Sequence, residues 1–190
     1  MTKTEAGKVA AAKLGSRPLV RTSPQARPKA AAKMPAKAAV RTAFSLGDFT
    51  DFSKLYCAEP MERVLMIKCG APAQMVEVLA RRMHVPKEKL FSTLGLARAT
   101  VNRKVIENKP LPSDETARVL GLARLVGQVE TLIQESGDGQ GFDAAQWLAQ
   151  WLDQPLPALG GQRPNSLMDT QDGQAIVSSL LARMQSGAYS

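Results

Sequence analysis

Histidine and cysteine are scarce in this 190-residue chain, and the scarcity argues against several kinds of chemistry. The one histidine is His84 and the two cysteines are Cys57 and Cys69, with no spacing that suits a zinc site. No metal and no other cofactor is therefore expected. His84, between Met83 and Val85, reads as a helix-end residue, and no Ser-His-acid arrangement can be assembled around it. A phosphate-cradling glycine motif is also missing. Only together with the basic arm, the helix-turn-helix pattern and the C-terminal motifs described below do these absences favour a binding protein over an enzyme. No apolar run approaches the roughly 20 residues that a membrane span needs. With no secretory signal either, the expected state is two free thiols in a reducing cytosol.

Charge is plentiful but uneven. The formal net charge is +8. Residues 1–43 carry ten Lys/Arg against one Glu, and residues 81–109 carry eight basic against two acidic side chains. Residues 44–80 and 110–190 are both net acidic. The first 43 residues are rich in Ala, Lys, Arg and Pro and lack apolar periodicity, so they are expected to be a disordered basic tail. It is either a solvated tail or an arm that adds nonspecific phosphate contacts on DNA. A transit peptide has a similar composition.

From residue 44 the pattern becomes helical. Pro60 suits a first turn, followed by Met61, Val64, Leu65 and Ile67, with Gly70 as the stop. Met75, Val76, Leu79, Ala80 and Met83 space a helix over 73–83, and Pro86 opens another ending near Leu94. Gly95 then lies between two short helical patterns, where a tight turn needs a residue tolerant of positive φ. Leu90, Leu94, Leu96 and Val101 stand where a helix-turn-helix buries its apolar side chains, and the stretch Lys87 to Ile106 resembles such a motif of the Xre type. It departs from that type at Phe91, usually a small residue, and at Ala97, which replaces a capping Ser or Thr. The helix over about 98–107 would be the recognition helix. Val101 and Val105 mark its inner face, leaving Arg98, Asn102 and Arg103 projecting elsewhere, with Thr100 and Lys104 at the edges. Arg reaches guanine bidentately and Asn adenine, while Lys104 and Lys109 suit phosphates. The plainer reading is a solvated basic face with no specific operator.

Pro110 and Pro112 precede a long helix from Ser113, a possible cap, to about Glu135. Val119, Leu122, Val126, Val129 and Ile133 form a two-heptad seam, and Leu120, Leu125 and Leu132 lie off it, so burial on two sides is expected. The seam serves either core packing or a homodimer. Gly137 to Gly141 reads as a flexible joint.

The last stretch places Phe142, Ala145, Leu148, Trp151 and Leu152 on one helical face and Trp147 on another. A loop with Pro155, Pro157, Gly160, Gly161 and Pro164 follows. The final helix opens after Asp169 or Thr170, either able to cap it, and carries Ile176, Val177, Leu180, Leu181 and Met184 until Gly187. The paired-Trp helix, Leu159-Gly160-Gly161, Pro164-Asn165-Ser166-Leu167, Thr170-x-x-Gly173 and Leu181-Ala182-Arg183-Met184-x-x-Gly187-Ala188-Tyr189 resemble the C-terminal domain of the Xre/MbcA/ParS antitoxins, partners of RES-domain toxins.

The resemblance implies an all-α protein of the bacterial cytoplasm. Its parts would be a disordered tail (1–43), an Xre-like helix-turn-helix domain (44–136) and a small helical toxin-binding domain (137–190). It further implies a type II antitoxin, a homodimer within a larger complex, that binds a RES-domain toxin acting on NAD, blocks the NAD site and represses its own promoter DNA. Trp147, Arg183, Gly187, Ala188, Tyr189 and Ser190 are the residues expected at the toxin. Tyr189 would fill a ring position, the Ser190 carboxylate would replace a phosphate, and Arg183 would pair with an acidic residue. The alternatives are a frayed terminus and, for the whole chain, a free-standing Xre-like dimeric regulator.

Overall fold

The computed structural model describes residues 44–137 and 141–185. The basic tail, residues 138–140 of the expected joint, and Gly187 to Ser190 lie outside the described residues. Nine α-helices are present among the described residues: α1 Leu46–Thr50, α2 Phe52–Cys57, α3 Pro60–Cys69, α4 Met75–Arg82, α5 Lys87–Thr93, α6 Arg98–Ile106, α7 Ser113–Ser136, α8 Ala144–Leu152 and α9 Gln171–Gln185. Two short 3₁₀ turns, Pro157–Leu159 and Pro164–Leu167, link α8 to α9. No β-strand occurs among them, only one isolated bridge between Pro72 and Pro110.

Helix α7 is the axis, packed by α2, α3, α4, α8 and α9. Its seam residues Val119, Leu122, Val126 and Val129 are buried, and Ile133 is half-buried. Leu120 and Leu125, on other faces, are buried as well. Neighbours from the same chain thus occupy the seam that a coiled-coil partner would need. Fully burying side chains of this size is worth ~1.5–3 kcal/mol each, so α7 is held by its surroundings rather than by its termini. Indeed Ser113, expected as the cap, is instead the first helical residue. Pro112 occupies the cap position at φ −56°, and no side chain caps this end.

Close approach explains a glycine inside α7. A Cβ on Gly127 would stand 1.9 Å from the Phe52 carbonyl oxygen of α2, well inside van der Waals contact. Only glycine lets the two helices meet at this distance. Around α3 the expectation from spacing fails in part. Met66 is the residue buried there, while Met61 is 68% exposed and Val64 and Leu65 also face outward. A cleft opens between α3 and α7 beside Val64 and Ile67, so the apolar positions of α3 are not all covered.

Polar groups on α7 lock the connections. Thr116, fully buried, accepts from the Ala71 amide (3.0 Å) and donates to the Leu111 carbonyl (3.3 Å). The Leu111 amide donates to the Ala71 carbonyl at 2.8 Å. The segment after α6 is thereby tied to the turn between α3 and α4. One turn position before, Glu115 is buried with its Oε2 lacking a partner among the described residues. Burial, and secondarily the charge of Asp114, raises its carboxyl above the ordinary value.

Two outcomes follow for stability. Gly127→Ala is expected to force α2 off α7 and to cost about 1–3 kcal/mol, as overpacking does, read as a lower thermal midpoint with helical content retained. Glu115→Gln should act in the opposite direction. A raised carboxyl favours folding fully below the ordinary glutamic acid value of 4.5, and that contribution is lost as pH rises through the folded value. The variant is therefore expected to melt higher than the parent at pH 7 and to lose this advantage in acid; an equal gain at both pH values would disprove the buried-charge account.

Candidate nucleic-acid and partner-binding surfaces

Helix α6 is set by its inner face. Val101 is buried and Val105 half-buried, and both line one cleft with Ala73, Val76 of α4 and Phe91 of α5. Gly95 adopts φ +58° in the turn before it, the conformation expected there. Ala97 sits at the N-cap without a side-chain cap, as its side chain dictates. The motif's unusual Phe91 is accommodated at 6% exposure rather than excluded.

The outward face then holds Arg98, Asn102 and Arg103, all exposed, with Thr100 half-buried at the edge. Arg98 lies 3.5 Å from Glu88 in an exposed pair of little energetic weight. Neither ion pair nor hydrogen bond engages the Arg103 guanidinium among the described residues. Lys104 is committed differently, donating to the Pro110 carbonyl at 2.9 Å. Lys109 pairs with Glu107 at 2.9 Å, and that hydrogen bond holds the Glu107 carboxyl below its usual range. The two lysines therefore enter any phosphate contact only by leaving or sharing these partners. Ile106, unmarked by the sequence pattern, stands 85% exposed at the end of the helix.

What fixes this face against the rest of the molecule is Arg118 of α7. Its Nη1 donates to the carbonyls of Leu94 (2.9 Å) and Gly95 (2.8 Å), the turn of the helix-turn-helix. Its Nη2 meets Asp114 at 3.2 Å. At the other end of α6, Asn108 is held at φ +50° and accepts from Gln74 Nε2 at 2.8 Å. No local pattern announces the contact of Arg118 with this turn, because Leu94 and Gly95 lie more than twenty residues away.

The C-terminal surface begins at α8, capped by Asp143 Oδ1, which accepts from the Gln146 amide at 2.9 Å. Ala145, Leu148, Trp151 and Leu152 are buried. Phe142, expected on this face, is instead 39% exposed because it precedes the cap and has left the helix. Trp147 is half-buried rather than free-standing: its ring stacks on Trp151 (centroids 6.0 Å, interplanar 14°) and leans on Phe142 at 6.0 Å.

The motif residues of this segment have structural tasks. Asp153 accepts from Asn165 Nδ2 at 2.9 Å and also from Lys89 of α5. Thr170 is the cap of α9, its Oγ1 accepting from the Gly173 amide at 3.1 Å. A Cβ on Gly173 would fall 1.9 Å from the Leu167 carbonyl oxygen, so Thr170-x-x-Gly173 is one unit in which cap and close approach require each other. Next in the chain, Gln174 is buried and donates from Nε2 to the carbonyls of Arg118 (3.0 Å) and Met168 (2.8 Å). Ser178 and Gln128 exchange two bonds, at 2.7 and 3.0 Å. Val177, Leu180 and Leu181 are the buried stripe of α9, whereas Ile176 and Met184 flank it and are exposed. Arg183 is exposed near the end of the described residues.

Comparison with known proteins agrees with this geometry. Residues 62–124 match the antitoxin Xre-like helix-turn-helix domain. Residues 140–187 match the antitoxin Xre/MbcA/ParS C-terminal toxin-binding domain. Over 138 residues the chain is 49% identical to the Prs ADP-ribosylating antitoxin of Sphingobium sp. (strain YBL2), covering 73% of this chain and 87% of that protein. It is 23% identical over 124 residues to the antitoxin Xre of Yersinia enterocolitica serotype O:8 / biotype 1B (strain NCTC 13174 / 8081), covering 65% and 78%.

The Trp147–Trp151 stack yields a contrast. Trp151→Ala is expected to cost ~3–5 kcal/mol, as truncation of a buried aromatic does. Trp147→Ala removes one stacked, half-buried ring and should cost clearly less. Urea unfolding of both variants measures the difference, and equal losses would place both rings in the core.

Proposed function

Since the chain belongs to the Xre/MbcA/ParS antitoxins and is the antitoxin of a toxin–antitoxin system with a helix-turn-helix domain, we propose that its partner is a RES-domain toxin acting on NAD. The observation that carries this reading is the C-terminal segment itself, where Asn165, Thr170 and Gly173 have defined structural tasks between α8 and α9. The name of the Sphingobium relative couples an antitoxin with Prs ADP-ribosylation. That supports transfer of ADP-ribose to a target, over simple NAD degradation, as the chemistry being silenced.

In this reading the toxin contact comprises Trp147, Arg183 and Gly187 to Ser190. Trp147 offers a partly exposed aromatic face of the kind that concentrates binding energy at interfaces. Arg183 supplies a cation for an acidic group of the toxin, and the residues after it cover the NAD site. The complex contains a homodimer of the antitoxin and works in the cytoplasm.

The second activity is repression of the system's own promoter. Arg98, Asn102 and Arg103 present two guanidiniums and an amide on one exposed helix face, the groups that read guanine and adenine edges. Thr100, Lys104 and Lys109 would serve the flanking backbone, and the basic tail would add nonspecific phosphate contacts.

Two measurements separate the halves of the proposal. Arg103→Ala is expected to weaken promoter binding by ~1–3 kcal/mol at fixed salt while leaving toxin neutralisation intact. Deleting Gly187 to Ser190 should do the converse, restoring NAD consumption by the co-purified toxin with promoter affinity unchanged. A truncated antitoxin that still protects NAD as the full chain does would overturn the blocking role of that segment.

A further inference from the structure

Helices α3, α7 and α9 enclose a cleft of about 580 Å³ that neither the recognition face nor the toxin contact uses. Two arginines face it, Arg63 from α3 and Arg124 from α7, and no aspartate or glutamate is among the residues lining it. Both are half-buried. Arg63 donates from Nη1 to the Ala58 carbonyl and forms no ion pair among the described residues. Arg124 is the more exceptional. Its Nε is buried with no acceptor among the described residues, and its side chain lines the cleft.

Arg124 differs in this from the other half-buried cations among the described residues, Arg63 included. Lys89 has Asp153, Arg118 has Asp114 and two carbonyls, and Lys104 has the Pro110 carbonyl. A partly desolvated guanidinium beside a second cation is costly unless an anion joins them. Burial first, and the charge of Arg63 second, pushes the Arg124 guanidinium below its ordinary value. Among the described residues no carboxylate therefore pairs with either guanidinium, and only Arg63 has a hydrogen-bond acceptor, the Ala58 carbonyl.

Shape and lining narrow the ligand. The volume lies within the range of about 300–1,000 Å³ typical of small-molecule sites. Gln171 supplies a neutral amide, the Ser178 and Ser179 hydroxyls already donate to Gln128 and Ala175, and Val64, Ile67 and Leu120 form an apolar wall. A carboxylate would neutralise only one of the two guanidiniums, whereas a phosphate monoester carries roughly −1.5 to −2 at pH 7 and offers three acceptor oxygens. We propose that the cleft between α3, α7 and α9 binds a small phosphate monoester of about nucleotide size, its phosphate held by Arg63 and Arg124 and its body against the Val64–Leu120 wall.

The test is calorimetric titration of the full chain with AMP and with inorganic phosphate at constant ionic strength. Alongside it, arginine Nε–H resonances are recorded by NMR, which separates the cleft from the basic tail. The expected result is saturable AMP binding that shifts the Arg124 Nε–H signal, with inorganic phosphate binding more weakly. Arg124→Gln and Arg63→Gln should each weaken AMP about tenfold, and Arg124→Gln should not lower the melting temperature without ligand, because it removes a repulsion and breaks no hydrogen bond among the described residues. Should Arg124→Gln fail to fold, the same titration of Arg63→Gln carries the test. Absence of saturable binding up to about 10 mM, or AMP binding unchanged in Arg63→Gln, overturns the proposal. Loss of self-association or toxin binding in these variants without any phosphate binding also overturns it, and assigns the charges to a protein carboxylate.

Discussion

Burial of α7 on nearly every face is the constraint on which the rest depends. A helix that must be covered from all sides recruits α2, α3, α4, α8 and α9, and the coverage leaves no room for error where helices cross. At Gly127 the α2 backbone comes so near that a single methyl group would meet a carbonyl oxygen. Apolar burial supplies the free energy, but it is non-directional. Direction comes from a few polar side chains on the same helix. Thr116 fixes the segment that follows α6, Arg118 fixes the turn that precedes it, and Gln128 fixes α9.

That division of labour sets the functional geometry. The guanidinium of Arg118 holds the turn before the recognition helix, and its backbone carbonyl accepts from Gln174 at the start of α9. The surface that matches a DNA reader and the one that matches a toxin binder are thus referenced to the same residue of the same helix. Lys89 of α5 bonding Asp153 after α8 is a second link of this kind. A buried hydrogen-bond network tolerates few alternative arrangements, so the two surfaces hold a defined relation in the described structure.

Several motif residues of the C-terminal segment are explained by folding rather than by contact with a partner. Asn165, Thr170 and Gly173 build the entry into α9, through the bond to Asp153, the cap and the absent side chain. Trp147, half-buried beside them, has no such task in the entry to α9. The same logic applies to α6, where Lys104 is partly spent on holding Pro110 and Arg103 is not.

How much of this was legible in the chain follows from the range of the interactions. Helix positions, the stop at Gly70, the positive φ at Gly95 and the inward Val101 are local matters of φ/ψ and 3.6-residue spacing, and the sequence determined them. So too did the resemblance of the last fifty residues to an antitoxin domain, since it resides in order and spacing. Tertiary structure decided which apolar residues were covered. Met61, Phe142, Ile176 and Met184 have the right character for a core and lie outside it, because coverage depends on what packs against a helix. It also decided the Ser113 cap, lost to Pro112. Arg118, Lys89 and Gln174 bond partners distant in the chain, and the pair Arg63 and Arg124 sits on helices sixty residues apart. Spacing records what one helix presents, whereas packing fixes what meets it, because a side chain's partner across a core has no set separation along the chain.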